Sequence, residues 1–230
     1  MTHVLRLRTG DQISVLDGTG REVIASLAAA TPRRATAQIL EEIPLLLSAH
    51  LRVALAQVVP RGPAMDLIVA KATELGAVCI FPLEGERSVR RASVAQSSRW
   101  VRIVQEAAEQ CGRRDLPEVA PASTLEAFLI GHPREALLLA CDASQENQPL
   151  MAACRELRGA SSLTLLIGGE GGLSPPEVER LRSHGARLTS LGPRILRAET
   201  AALAALAIIQ ATLGDWEVRP DGETGGRSVS

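Results

Sequence analysis

Residues 163–181 read LTLLIGGEGGLSPPEVERL, and this stretch decides the fold. An apolar run of strand length ends abruptly on the loop 168–172, which has four glycines in five positions. Glycine loses more conformational freedom on folding than any other residue, so this loop must require positive φ or a close approach of its backbone. Ser174 and Glu177 then predict a capping box, with proline at the first helical position. Strand, glycine loop and capped helix together predict a ligand-binding site.

A second stretch, residues 186–205, reads ARLTSLGPRILRAETAALAA and repeats this design. The short segment 186–191 predicts a strand that ends at Gly192, and the helix predicted at 200–213 is nearly all alanine, leucine and isoleucine. That composition is typical of a buried, closely packed helix. We expect the two loops to meet over one ligand, and two ordinary strand-to-helix turns are the alternative.

The first loop is compatible with two kinds of ligand. A phosphate is the usual partner of a glycine loop before a helix N-terminus, and a dinucleotide-dependent dehydrogenase would be the corresponding enzyme. However, residues 169–174 only approximate G-x-G-x-x-G, and they lie late in the chain rather than after a first strand. Glu170 also places a carboxylate where it would repel a pyrophosphate. A nucleoside that carries hydroxyls and a positive sulfonium centre fits the loop better.

Motifs spread along the chain resemble those of one known family. In order, they are HVLRL at 3–7, KATELG at 71–76, ERSV at 86–89, EAAEQCGR at 106–113, IGGEGGLS at 167–174 and LGPRILRAETA at 191–201. This set is similar to the knotted (SPOUT) methyltransferases, and specifically to the bacterial 16S ribosomal RNA uracil-N3 methyltransferase family. Two residues depart from the family pattern: Gly169 stands where proline is usual, and Arg61 lies near a usual lysine.

The resemblance implies both a fold and an activity. The fold is α/β, with a small N-terminal PUA-like β-barrel, then a parallel sheet with helices on both faces and a C-terminal trefoil knot. The implied activity is S-adenosylmethionine-dependent methylation of N3 of a specific uridine in 16S ribosomal RNA of the small subunit, by a homodimer. Its partner is either the free 16S RNA or the assembled small ribosomal subunit. An RNA-binding protein of the same fold without catalysis is the alternative.

The resemblance also implies the residues of the site. Arg197 is the candidate for stabilising charge on the uracil oxygens, and Glu199 is a candidate general base whose alternative role is a helix N-terminal charge. The predicted cofactor-binding residues lie on the two loops and at the start of the last helix: Ile167, Gly168, Glu170, Gly171, Gly172, Leu191, Gly192, Ile195, Leu196, Arg197, Thr200 and Ala201.

Charge is distributed unevenly along the chain. The net charge of −1 argues against a protein that coats nucleic acid, whereas local arginine clusters can supply phosphate contacts. Aromatic residues are only 2% of the chain, which argues against a stacking platform for single strands. The chain has a single lysine, Lys71, and a plain surface ion pair with Glu74 is the alternative to a functional role. The predicted RNA-binding residues are Arg6, Arg8, Lys71, Arg87 and Arg113.

The pattern of apolar residues divides the chain into two parts. Short alternating segments around a turn signal at 17–20 predict strands at 4–8, 12–16, 22–27 and 35–40. In the first of these, Arg6 and Arg8 share one face. Beyond a linker at 41–49 the pattern becomes one of strands alternating with helices, which is typical of a parallel sheet. We therefore expect a PUA-like RNA-binding domain at 1–45, a knotted methyltransferase domain at 50–217 and a flexible tail at 218–230.

The second part is predicted in more detail by periodicity and capping signals. A second capping box is predicted at 123–126, from Ser123 to Glu126. Strands are predicted at 52–59, 78–82 and 136–141, and helices at 64–75, 98–111 and 150–158.

Several classes of protein are not favoured by the sequence. Its four cysteines form no C-x-x-C, so reduced, buried thiols are expected, and its four histidines share no ligand spacing, so no metal is predicted. The longest apolar run is shorter than the roughly 20 residues that span a bilayer. The N-terminus lacks the apolar core of a secretion signal, and a cytoplasmic protein is expected.

Overall fold

The N-terminal part of the computed structural model contains an antiparallel sheet of strand order β1-β2-β3. The structure describes residues 7–31, 34–43, 51–85, 94–144, 146–214 and 216. The strands are β1 (Gln12–Leu16), β2 (Glu22–Ala30) and β3 (Ala35–Ile43). The predictions at 12–16, 22–27 and 35–40 are therefore confirmed, while most of the strand predicted at 4–8 lies outside the described residues.

The linker predicted at 41–49 starts too early. Glu41, Glu42 and Ile43 belong to β3 and pair with β2, where Ile43 lies opposite Glu22. The polar pair Glu41 and Glu42 resembles a loop only when its pairing partner is unknown. Charged side chains on an edge strand are common, because they discourage pairing with another chain.

The rest of the described chain forms a parallel sheet of order β6-β5-β4-β10-β8-β11-β9, with β7 also paired to β5. Its central strand β10 is buried along nearly its whole length, as expected for a parallel strand covered on both faces. The strands are β4 (Arg52–Val58), β5 (Ala77–Glu84), β6 (Glu118–Val119), β7 (Ser123–Thr124), β8 (Leu138–Cys141), β9 (Gln148–Pro149), β10 (Ser162–Ile167) and β11 (Arg187–Ser190).

Helices cover both faces of this sheet, which confirms the predicted architecture. One core contains apolar residues of α1, α2, α4 and α6, and the other contains those of α3 and α5. The helices are α1 (Ala64–Glu74), α2 (Val94–Cys111), α3 (Leu125–Gly131), α4 (Leu150–Glu156), α5 (Pro175–His184) and α6 (Ala198–Leu213). The trefoil knot implied by the resemblance stays a prediction. Among the described helices, none has the length and apolarity needed to cross a membrane.

Two local predictions are wrong. Thr124, not Ser123, is the N-cap of α3, and its side chain accepts a hydrogen bond from the Ala127 amide at 3.1 Å. Because the helix begins one residue later than predicted, Glu126 falls at its second position and cannot close a capping box. The thiols are not all buried either, since Cys111 is exposed at the end of α2.

Candidate functional site

The carboxyl ends of three neighbouring strands meet at one edge of the parallel sheet. β10 pairs with β8, and β8 pairs with β11, so the loops that follow these strands lie side by side. The Asp142 amide, just beyond β8, donates to the Thr189 carbonyl at 3.0 Å and ties two of the loop origins together. Ligands of open α/β sheets bind in the crevice outside the carboxyl ends of the strands.

The loop after β10 is held in a tight turn. The Gly172 amide donates to the Gly169 carbonyl at 3.0 Å, and Gly172 adopts φ +67°. A Cβ at Gly168 would lie 2.8 Å from the Gly172 carbonyl carbon, closer than such contacts allow. The fully buried Gln57 fixes the start of the loop, because its Nε2 donates to the carbonyls of Gly168 at 3.2 Å and Val58 at 2.8 Å. Gly168 is therefore required for a close approach of backbone to backbone, and Gly172 for its positive φ.

The capping box predicted at the start of α5 is confirmed. The Glu177 amide donates to Ser174 Oγ at 3.3 Å, and the Ser174 amide donates to Glu177 Oε2 at 2.7 Å. Glu177 is only 3% exposed, so its carboxylate occupies the place at the helix N-terminus that an anion would take. This arrangement disfavours a phosphate at α5 and agrees with the choice of a cationic nucleoside.

The loop after β11 has a different ending. Gly192 adopts φ +101°, and its amide donates to Ser190 Oγ at 3.2 Å. α6 then begins after Arg197, which acts as N-cap without a side-chain hydrogen bond to the helix. The Arg197 side chain is exposed and forms no ion pair within the described ranges, and Glu199 lies half-buried in the first helical turn. An uncapped helix start beside an exposed guanidinium is suited to stabilising negative charge.

The predicted cofactor residues occupy these two neighbouring loops and the first turns of α6. Ile167 and Gly168 are buried at the base, and Leu191, Leu196 and Ala201 are half-buried along the rim. The remaining members are exposed: Glu170, Gly171, Gly172, Gly192, Ile195, Arg197 and Thr200. The structure thus places them together at one edge, and their contact with a cofactor stays a prediction.

Three of the five predicted RNA-binding residues lie within the described part of the chain, and they differ in exposure and in partners. Arg8 is exposed beside the N-terminal sheet, and Lys71 binds the Glu74 carboxylate at 2.7 Å, which is the ion pair considered as the alternative. The Arg113 side chain is only 13% exposed and is engaged in internal hydrogen bonds. Arg6 and Arg87 lie outside the described residues.

Sequence reasoning missed the third loop of the site, which follows β8. Asp142 Oδ2 accepts hydrogen bonds from the Asn147 side-chain amide at 3.1 Å and from the Ser144 backbone amide at 3.2 Å, so the loop is folded around this carboxylate. The available signal was Asp142 directly after an apolar strand, with Ser144 two residues on, which is typical of an Asx-turn. It was overlooked because the loop lacks glycines.

The thiol of Cys141, at the end of β8, is poorly suited to act as a nucleophile. Burial raises the pKa of its thiol to about 11, and the neighbouring Cys154 and Asp142 act in the same direction. The thiol is therefore protonated at neutral pH, whereas a nucleophilic cysteine reacts as the thiolate. Within the described part of the chain, no group of three or more histidine, cysteine, aspartate or glutamate side chains is arranged to hold a metal ion.

Comparison with known proteins agrees with this arrangement. The sequence pattern of an RNA methyltransferase domain matches residues 48–210, and that of an RNA methyltransferase PUA domain matches residues 1–40. The chain is 38% identical to the ribosomal RNA small subunit methyltransferase E of Synechocystis over 93% of its length and 70% of that protein. It is 32% identical to the protein of the same name in Bacillus subtilis, over 91% of this chain and 85% of that one.

Two solved structures are similar to this chain in both fold and sequence. The ribosomal RNA small subunit methyltransferase E of Neisseria gonorrhoeae, bound to S-adenosyl methionine, superposes with a TM-score of 0.84 and 34% identity over 94% of this chain and 89% of that chain. A putative methyltransferase of Legionella pneumophila in complex with the same cofactor gives a TM-score of 0.79 and 30% identity, over 93% and 88% of the two chains. The chain therefore belongs to the RNA methyltransferase family that includes the ribosomal RNA small subunit methyltransferases E, as its motifs predicted.

Proposed function

We propose that this chain transfers a methyl group from S-adenosylmethionine to N3 of a uridine in the 16S RNA of the small ribosomal subunit. The proposal depends on two features that lie at the same edge of the sheet. The first is the glycine loop before α5, where the Glu177 carboxylate occupies the helix N-terminus in place of an anion. The second is the start of α6, which has no side-chain cap and carries Arg197. The family membership supports the same reaction, because both domain patterns of the RNA methyltransferases match this chain. The dehydrogenase considered as an alternative is excluded by that membership.

The loops fit the cofactor. A Cβ at Gly168 would clash with the Gly172 backbone, so the loop is compact, and its exposed rim offers main-chain groups rather than side chains to a nucleoside. The exposed Glu170 carboxylate supplies negative charge for a positive sulfur. We propose that the predicted residues of the two loops hold the adenosine. The β8 loop around Asp142 is proposed to form a third side of the pocket. When bound, S-adenosylmethionine supplies an electrophilic methyl group.

The protein must align the uracil and manage one proton. Alignment of the acceptor nitrogen behind the methyl group supplies most of the acceleration, because it replaces a bimolecular encounter by a fixed geometry. N3 must lose its proton, and Glu199, in the first turn of α6, is the proposed acceptor. Charge then develops on the uracil oxygens, and the Arg197 guanidinium is the proposed donor that stabilises it. Since N3 lies on the pairing edge, the target uridine must be unpaired.

Methylation of small-subunit RNA by purified protein tests the proposal. Arg197→Ala should lower kcat by roughly 100-fold or more, the usual effect of removing one such donor. Arg187→Ala is the matched control, because Arg187 is exposed and, within the described ranges, its side chain pairs with Glu156 in a surface ion pair of 3.1 Å. The product nucleoside is identified by mass spectrometry as 3-methyluridine. The assignment would be refuted if the wild-type chain methylated the 16S RNA neither as free RNA nor in the assembled small subunit.

The non-catalytic alternative is separated by calorimetry. An RNA-binding protein without catalysis gives no heat with S-adenosylmethionine, whereas the proposed enzyme binds it. We propose that the N-terminal domain comprises residues 1–45 and the methyltransferase domain residues 50–217. The RNA surface is proposed to lie on the N-terminal domain, where Arg8 is exposed. The flexible tail predicted at 218–230 lies outside the described residues. The cytoplasm is the proposed location because ribosomal RNA is the substrate.

We also propose that the active form is a homodimer. Ile195, on the loop before α6, is 89% exposed, and Met151, on α4, is 47% exposed. Both apolar side chains are available to a partner, and most soluble oligomers are two-fold dimers of one chain, so a second copy is the proposed partner. Light scattering from a particle of the monomer mass, 24.4 kDa, would refute the dimer.

A further inference from the structure

The segment that follows α2, residues 113–116, is anchored in the parallel sheet by one arginine. Arg113 Nη1 donates to the carbonyls of Thr73 at 2.9 Å and Ala77 at 2.6 Å, which close α1 and open β5. Its Nε and Nη2 bind the Asp115 carboxylate at 3.1 and 2.9 Å. We call residues 113–116 the connector. Since all three guanidinium nitrogens are used within the chain, the connector is fixed to the methyltransferase domain.

The connector also binds the N-terminal sheet. The Leu116 amide donates to the Gly18 carbonyl at 3.1 Å, and Asp115 forms β-bridges with Gly18 and Thr19. The Leu116 side chain covers Gly18, where an added Cβ would lie 2.8 Å from its Cδ1. The hairpin between β1 and β2 is therefore joined to the methyltransferase domain by backbone hydrogen bonding and by close packing.

A charge pair reinforces this junction. Arg114 Nε lies 2.8 Å from Glu22 Oε2, and the Glu22 side chain is only 9% exposed. Its other oxygen, Oε1, accepts a hydrogen bond from Ser14 Oγ at 2.6 Å. A buried carboxylate needs a partner to offset the loss of its hydration, so Glu22 depends on an arginine supplied by the other domain.

The junction is far from the cofactor loops. It lies at the amino end of β5 and beside β6, whereas the loops follow the carboxyl ends of β10 and β11. Two strand spacings from β5 to β10, or four from β5 to β11, and about six residues along the strands separate the two by roughly 20–30 Å. The junction therefore has no direct contact with the reacting groups, and an RNA must be long or folded to reach both the N-terminal sheet and the cofactor loops.

We propose that the connector and the Glu22–Arg114 pair are positioning elements, which hold the N-terminal sheet at a fixed distance from the cofactor site so that both engage one folded RNA. This inference rests on the proposed methyltransferase function. A fixed spacing raises the effective concentration of the bound RNA at the second site, whereas a loose domain loses that advantage. The proposal assigns Arg113 and Arg114 to domain placement rather than to RNA contact.

Substrate length is the readout that separates positioning from a general loss of fold. Arg114→Gln and Glu22→Gln should each raise KM for full-length small-subunit RNA by about tenfold, within the range of coupling between paired residues. KM for a short uridine oligonucleotide, which reaches only the cofactor loops, should not change, nor should the affinity for S-adenosylmethionine. The charge-swapped double variant, Glu22→Arg with Arg114→Glu, should recover most of the loss. Arg187→Gln serves as the matched control.

Each outcome bears on the proposal. An equal rise in KM for both RNAs would overturn it, because that result indicates general damage, and so would an unchanged KM for the long RNA. Filter binding of the long RNA without cofactor gives a second measurement, in which both single variants should bind about tenfold more weakly than wild type. Inactivity of the wild-type chain on both RNAs would refute the proposed function itself, which distinguishes that failure from failure of the positioning inference.

Discussion

Replacement of Arg113 tests whether this side chain supports the fold or contacts RNA. The sequence motif placed it among the RNA-binding residues, whereas the structure gives it four internal hydrogen bonds and a side chain only 13% exposed. Arg113→Ala removes the donor from the carbonyls of Thr73 and Ala77. The two interpretations predict different measurements for the same variant.

The size of the effect follows from the partners that remain. The Thr73 carbonyl also accepts from the Gly76 amide at 3.1 Å, so it keeps one partner after the substitution. Asp115 is 53% exposed and loses little, because exposed ion pairs contribute about 0–1 kcal/mol. A hydrogen bond from a charged donor to a buried carbonyl is worth about 1.5–3 kcal/mol, so we expect a loss of about 2 kcal/mol in the free energy of unfolding. Arg113→Lys should lose about half as much, because one ammonium cannot span the same acceptors.

Urea unfolding followed by tryptophan fluorescence measures this loss. Trp100 in α2 is 1% exposed and reports the unfolding of the domain that holds the connector. Arg187→Ala, at an exposed ion pair, is the control and should change the free energy by less than about 0.5 kcal/mol. If Arg113→Ala unfolds like wild type and instead lowers the salt dependence of RNA binding, the arginine contacts phosphate and the structural interpretation is wrong.

Two further predictions concern the cofactor loop and the response to pH. Gly168→Ala should abolish binding of S-adenosylmethionine in calorimetry while the chain stays folded. The added Cβ would lie 2.8 Å from the Gly172 carbonyl carbon, so the turn must open. Wild-type affinity in this variant would contradict the close approach of the two glycines. Burial, and then the neighbouring His184, lower the pKa of His132 below its usual 6.5. As the pH falls, the unfolded chain therefore takes up the proton first. The contribution of His132 to stability should be fully present above pH 6.5 and should decrease as the pH drops below that value. His132→Asn should flatten the pH dependence of stability in urea titrations, and an unchanged slope would refute this prediction.

The strands and helices near the site were predictable because their signals are local. The capping box at Ser174 and Glu177, the glycine loop and the buried, alanine-rich α6 each depend on residues within a few positions of one another. The N-cap of α3 was misplaced by one residue because Ser123 and Thr124 are both good caps, and only the first turn of the helix distinguishes them. The strand end at Ile43 was missed because its pairing partner, Glu22, is distant in the chain.

The sequence by itself determined the family, the α/β class and the two glycine-ended loops after β10 and β11, with the residues on them. Only the tertiary structure decided that the loop around Asp142 joins them, since the parallel pairing of β8 between β10 and β11 is not encoded in any one segment. It also decided the role of Arg113, whose acceptor carbonyls lie 36 and 40 residues away. Hydrogen bonds over such separations depend on how the elements pack, and residue type and periodicity carry no record of them.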